Sequence, residues 1–179
     1  MDRIIPDVFD DLEIGITLHD PETGEIHGVN ERLEELYGYT AAELREMTVG
    51  DCTAADSAFT QANAERRIRA AAEGEPQAFE WRIERADGQQ VWVRVRLAST
   101  ELDGEEYVLA EVRDITDRKE REAELRTKQQ AVDQAPVGIT LTDPTQPDNP
   151  LVYANEEFME LTGYSQGDVD GWNHRQLQG

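Results

Sequence analysis

A chain of 179 residues with 39 acidic and 17 basic side chains, a formal net charge of -22, offers no basic face for a phosphate backbone, and the expectation is no direct nucleic-acid binding by this region. No apolar run approaches the roughly 20 residues that span a bilayer, the first residues lack the apolar core of a signal peptide, and Cys52 stands alone, which leaves no intrachain disulfide framework. The acids are scattered over helix faces and loops, with Lys119 and Lys128 the only lysines, a pattern read as the surface of a salt-adapted cytoplasmic protein.

Ile14, Ile16 and Leu18 alternate with Gly15, Thr17 and His19, and Asp20-Pro21-Glu22-Thr23-Gly24 then turns the chain into Ile26 to Val29, which predicts a short hairpin. Asn30 is placed to cap a helix carrying Leu33, Leu36 and Tyr37, and Gly38 ends it. Thr40-Ala41-Ala42-Glu43 has capping-box form for a second short helix with Leu44 on its buried face. A longer helix is predicted over Ser57 to Glu73, burying Phe59, Ala62, Ile68 and Ala71 or Ala72.

The clearest periodicity follows. Phe79, Trp81 and Ile83 alternate with Glu80, Arg82 and Glu84 up to Asp87-Gly88. Val91, Val93, Val95 and Leu97 alternate with Trp92, Arg94 and Arg96 until Asp103-Gly104, and Tyr107 to Val112 completes a three-stranded antiparallel meander. Two strands, short helices and three more strands define an α+β domain, helices covering one face of a five-stranded antiparallel sheet. From Thr116 to Gln134 charged helix formers take over, with Glu122 and Arg126, and Glu124 and Lys128, at four-residue spacing, so a connecting helix is expected; its coiled-coil seam is weakly coded.

After Pro136 the opening pattern returns. Gly15-Ile16-Thr17-Leu18-His19-Asp20-Pro21 is echoed by Gly138-Ile139-Thr140-Leu141-Thr142-Asp143-Pro144, and the segment from Asn30 to Thr40 by that from Asn155 to Ser165. The expected organisation is a complete domain over residues 1–115, a helical linker over 116–134, and the N-terminal part of a second, truncated copy over 135–179.

The hairpin, the Asn-capped helix ending in Gly38-Tyr39-Thr40, the meander and the closing Asp114-Ile115-Thr116-Asp117-Arg118-Lys119 together resemble the PAS domain family. The tandem arrangement and acidic surface are similar to sensory regions of histidine kinases and bacterio-opsin-activator-like regulators of halophilic archaea. The resemblance implies a sensory and protein-interaction region of signal transduction, without enzymatic activity of its own. It would pair as a homodimer and relay ligand or partner binding through the connecting helix to an output domain or partner. Asp114, Ile115 and Thr116, where the last strand becomes helix, are the candidate signal junction, a role that coexists with capping.

The second copy resembles the flavin-binding light-oxygen-voltage subfamily, because Gly171-Trp172-Asn173-His174-Arg175-Gln176-Leu177-Gln178-Gly179 follows its signature Gly-Arg-Asn-Cys-Arg-Phe-Leu-Gln-Gly. His174 stands where that family has the adduct-forming cysteine, and an imidazole cannot do that thiol chemistry. Asn173, Arg175 and Gln178 match the motif, and a guanidinium suits a flavin phosphate. Flavin is therefore a cofactor expectation only with a complete second domain, and a flavin photoreceptor or redox sensor lacking the adduct cysteine is the alternative reading. Haem-binding members use a histidine on the long helix, and Ser57 to Glu73 contains none.

Phe59, Trp81 and Tyr107 are candidates to line a ligand pocket between helices and sheet, or simply to fill the core. His19 and His27 flank one hairpin without a third ligand at suitable spacing, so no metal site is expected. Cys52 reads as a small buried residue.

Overall fold

The computed structural model describes residues 5–6, 9–10, 12–55 and 59–169. The chain divides into two compact units, Met1–Lys119 and Glu120–Gly179.

In the first unit β1 (Gly15–His19) and β2 (Ile26–Val29) form the opening hairpin, and α1 (Glu31–Tyr37), α2 (Ala41–Glu46) and α3 (Gln61–Ala72) follow. The meander β3 (Gln77–Glu84), β4 (Gln90–Leu102) and β5 (Glu105–Asp114) completes an antiparallel sheet of order β2-β1-β5-β4-β3. Both meander turns carry the left-handed backbone that tight hairpins need, Gly88 at φ 81° and Asp103-Gly104 at φ 53° and 85°. The β3 edge is shielded: Ala54 N–H donates to Arg82 O, and Glu84 N–H to Cys52 O.

The helices pack on one face of the sheet, over a core that includes Leu33, Leu44, Ile68, Trp81, Ile83, Val93 and Val108. Each such side chain contributes ~1.5–3 kcal/mol by leaving water. Gly15 lets α1 approach β1, since a Cβ there would lie 2.6 Å from Leu33 Cδ1 and 3.3 Å from Leu33 Cα. Gly38, at φ 77°, takes the left-handed position that ends α1.

Two expectations are corrected. The helix starts at Gln61 rather than Ser57, because the Thr60 hydroxyl accepts from Asn63 N–H and fixes the cap there. Its buried stripe is consequently Ala64, Ile68 and Ala71, while Ala62 is exposed and Phe59 precedes the helix.

β1 is buried on both faces. Thr17 and His19 turn toward the helices, whereas Ile16 and Leu18 turn to the opposite side, into a second cluster with Ile5, Tyr107, Phe9 and Leu109.

The helix α4 (Thr116–Asp133) has no buried residue, and Leu125 is 67% exposed. In the second unit β6 (Thr140–Thr142) pairs with β7 (Leu151–Ala154), followed by α5 (Glu156–Thr162) and α6 (Gln166–Val169). Leu151, Ala154 and Val169 form its small core, with Phe158 against it.

One device occurs in both units. Asn30 is fully buried: its Oδ1 accepts from Ile16 N–H (2.7 Å) and Leu33 N–H (3.1 Å), and its Nδ2 donates to Phe9 O (2.9 Å) and Ile14 O (3.0 Å). Asn155 repeats this with Ile139 N–H, Phe158 N–H, Val132 O and Val137 O. The asparagine read from sequence as a helix cap is thus also the knot tying the segment before the first strand to the first helix.

Candidate functional site

Beneath the helices lies a cavity of about 60 Å³, lined by apolar side chains with Thr17, His19, Tyr37, Cys52 and Trp81 among them. Water needs roughly 10–15 Å³ on this measure, and cofactor-sized pockets are about 300 Å³ or more, so the space as it stands suits a few waters or a small ligand.

Its polar groups come from β1. The Thr17 hydroxyl is buried with no hydrogen-bond partner among the described residues, so its bonding capacity is directed to whatever polar atom enters the cavity. His19 is buried and its Nδ1–H donates to Gly24 O (3.1 Å). Burial opposes the charged ring, outweighing the Gly24 bond, and lowers its pKa from 6.5 to about 4. A neutral ring donating through Nδ1 keeps Nε2 as an acceptor. Burial, with the Asp51 charge beside it, pushes the Cys52 thiol up to about 11, so at neutral pH it is a protonated lining group rather than a nucleophile. Burial likewise raises the Tyr37 phenol.

Of the three aromatic candidates only Trp81 lines the cavity; Phe59 stacks on Trp81 without lining it, and Tyr107 does not join them. Phe59 stacks on Trp81 (centroids 4.6 Å apart, planes at 23°), Phe79 leans on both, and the Arg67 guanidinium lies 4.3 Å from the Phe79 ring centre. The Trp81 indole N–H donates to Thr53 Oγ1 (3.1 Å). Because Val108, Ala110 and Val112 face the helices, strand alternation sends Tyr107 to the other side, where its ring meets His27 (5.7 Å) and its hydroxyl donates to Glu105 (2.6 Å). His19 and His27 therefore point to opposite faces of the hairpin. Sequence reasoning missed Thr17 and His19 as lining groups; their position, out of phase with Ile16 and Leu18, was the available signal.

The junction residues are gathered at one corner of the sheet. Asp114 Oδ1 accepts from Thr116 N–H (2.8 Å), Thr116 Oγ1 accepts from Trp92 N–H (3.0 Å), and Ile115 N–H donates to Trp92 O (2.8 Å). Three further side chains complete the grip. The Glu80 carboxylate receives both Arg118 and Lys119 (2.5 Å each), which hold it below the usual carboxylate range, and Lys119 Nζ lies 5.1 Å from the Trp92 ring centre. Glu80 on the outer face holds α4, while its neighbour Trp81 lines the cavity on the inner face.

Asn173, Arg175 and Gln178, with His174, lie outside the described residues.

A family model described as a PAS domain matches residues 13–117, and another PAS domain model matches residues 126–179. The chain belongs to the PAS domain family. This PAS chain is 29% identical to the PAS domain of an HTR-like protein from Haloarcula marismortui, with a TM-score of 0.53 over 60% of this chain and 86% of that one. The Rhodobacter sphaeroides LOV protein shares the fold at 20% identity and a TM-score of 0.50, over 60% of this chain and 62% of that one. A bacterioopsin transcriptional activator of Halobacterium salinarum is 53% identical over 58 residues, 32% of this chain. A blue-light-activated histidine kinase of Brucella anthropi is 47% identical over 49 residues, 27% of this chain. The matched segments span 9% and 10% of those two proteins.

Proposed function

We propose that this PAS chain is a non-catalytic, cytoplasmic sensory and protein-interaction region of signal transduction. A small ligand or partner acts on the first domain, residues 1–115, and the effect passes through the linker, 116–134, to an output domain or partner. The observation that carries this is the adjacency of Trp81 and Glu80: consecutive residues of one strand, one against the cavity and one holding the first turn of α4. A guest that shifts β3 or β4 by a fraction of an ångström must alter the geometry at Glu80 and Trp92, because neighbouring strand residues cannot move independently. A polar atom of the guest would meet Thr17 Oγ1 and His19 Nε2. Asp114 takes the first N–H of α4, and Thr116 ties that first turn to the sheet through Trp92 N–H. The region acts as a homodimer in this reading, which sedimentation tests: a strict monomer across concentration would remove that part.

The test of the relay is hydrogen exchange on the whole chain. Trp81→Phe removes the indole bond to Thr53 while keeping an aromatic ring in the core, and amide exchange at Ile115 to Lys119 should rise several-fold. Glu80→Gln, which frees Arg118 and Lys119 directly, sets the scale. Unchanged exchange at the junction in Trp81→Phe, with a clear response in Glu80→Gln, would refute the relay.

A second reading, a flavin-binding photoreceptor or redox sensor, is favoured by Asn173, Arg175 and Gln178 and by the kinship with a blue-light-activated histidine kinase. Arg175 would pair with the flavin phosphate, and His174 would replace thiol-adduct chemistry with hydrogen bonding. A blue absorption band released on denaturation of purified protein would support it, and a spectrum of tryptophan and tyrosine alone would count against it.

A further inference from the structure

The outer face of the first sheet carries charge of the wrong sign for this molecule. Arg94 and Arg96 on β4 and Arg113 on β5 point away from the helices, because Val93, Leu97 and Val112 between them belong to the helix-side core. All three are exposed. Arg94 and Arg113 are direct cross-strand partners, an arrangement that is destabilising for like charges. The carboxylate on their other side does not relieve it: Glu80 is the cross-strand neighbour of Arg94, yet it is engaged by Arg118 and Lys119. Among the described residues none of the three guanidinium groups makes an ion pair or a hydrogen bond. In a chain with 39 acidic side chains, three adjacent arginines, with Glu111 opposite Arg96 and no free carboxylate opposite the Arg94–Arg113 couple, leave a local positive excess against a negative background.

The surface there is also concave. Arg94, Arg96 and Arg113, with Glu111, line a depression of about 150 Å³. A neighbouring one of about 130 Å³ is lined in part by Ala78, Arg96, Ala98 and Leu109, so small apolar side chains continue the floor next to the guanidinium groups.

We infer that this face docks an acidic segment of a partner protein in extended conformation. Its carboxylates pair with the Arg94–Arg113 couple and with Arg96, and its small apolar side chains lie over Ala78 and Ala98. The spacing fits: alternate side chains of an extended peptide recur every roughly 7 Å, the same interval that separates Arg94 from Arg96 along their own strand. Guanidinium forks bind carboxylates bidentately, and a carboxylate between Arg94 and Arg113 turns their repulsion into attraction. Glu111, opposite Arg96, favours a segment whose acids are interrupted by apolar residues over one with an unbroken acidic run.

The test uses the whole chain and a fluorescein-labelled peptide of alternating Glu and Ala. Anisotropy is measured at the lowest salt at which the far-ultraviolet circular dichroism is unchanged, then in rising salt. Saturable binding is expected, weakened by salt and lost by at least ~10-fold in Arg94→Gln/Arg113→Gln. That variant relieves a like-charge pair and should fold at least as well as the parent. Absence of saturable binding, or equal affinity in the double variant, overturns the inference. Sedimentation of both proteins without peptide adds one more arm: self-association that disappears in the double variant would overturn it in favour of a second copy of this chain as the occupant.

Discussion

Acidification between pH 7 and about 4.5 should destabilise the first domain through a single side chain, His19. Its folded pKa of about 4 lies below its ordinary value of 6.5, because the buried imidazole cannot be charged without losing solvation. Between those two values the unfolded chain binds a proton that the folded chain does not. Stability from this group is therefore complete above pH 6.5 and is lost as pH falls toward 4. The full difference is about 3 kcal/mol, of which about 2 kcal/mol falls between pH 7 and about 4.5. The carboxylates held low by hydrogen bonds, such as Asp20, Asp51 and Glu80, have ordinary values of 3.8 to 4.5, so their contributions begin to fall only at the acid end of that window. The assay is urea unfolding at fixed salt over this range, on the parent and on His19→Asn. The asparagine amide can stand in for Nδ1–H toward Gly24 O but cannot titrate, so it should flatten the profile by about 2 kcal/mol. Identical pH slopes in the two proteins would refute the assignment of His19 as a buried neutral ring.

Two further outcomes follow from packing and hydrogen bonding. Gly15→Ala should lower the unfolding free energy by about 1–2 kcal/mol in urea titrations, because the new methyl group meets Leu33 while the loss of glycine's freedom in the unfolded chain offsets only part of the strain. Asn30→Ala should cost about 3 kcal/mol or more, leaving Ile16 N–H and the Phe9 and Ile14 carbonyls without their side-chain partner. Asn30→Asp keeps the acceptor for Leu33 but loses both donors, so it too should destabilise; a residue that only capped α1 would tolerate it.

Periodicity and turn chemistry reach far into this fold. The strict alternation from Phe79 to Glu84 and from Val91 to Leu97, closed by Asp87-Gly88 and Asp103-Gly104, dictates strands with one apolar and one charged face, whatever they pack against. Thr40 and Glu43 specify their capping box from four consecutive residues, both reciprocal bonds being local. The repeat likewise carries its own instructions, since Asn30 and Asn155 make the same four bonds. The candidate site was less legible. Phe59 and Trp81 are stacked as near neighbours, but Tyr107 shares their composition and not their face, and only the register of β5 against β1 and β4 settles which way it points.

What the sequence by itself determined is local: strands, caps, turns, the repeat, and Asp114-Ile115-Thr116 as the exit to a helix. Tertiary structure decided what depends on partners distant along the chain. It buried both faces of β1, so that Thr17 and His19 became the polar lining of a cavity instead of an exposed edge. It brought Glu80 to Arg118 and Lys119, 38 and 39 positions away, and thereby joined the junction to the cavity wall. Leu18 is 1% exposed and its counterpart Leu141 is 55% exposed, although their local sequences are nearly the same. In the first unit β5 pairs with β1 and a second cluster covers Leu18, whereas β6 pairs only with β7 among the described residues. Burial is a property of what a strand packs against, and a local sequence pattern specifies only which side chains are available to be buried.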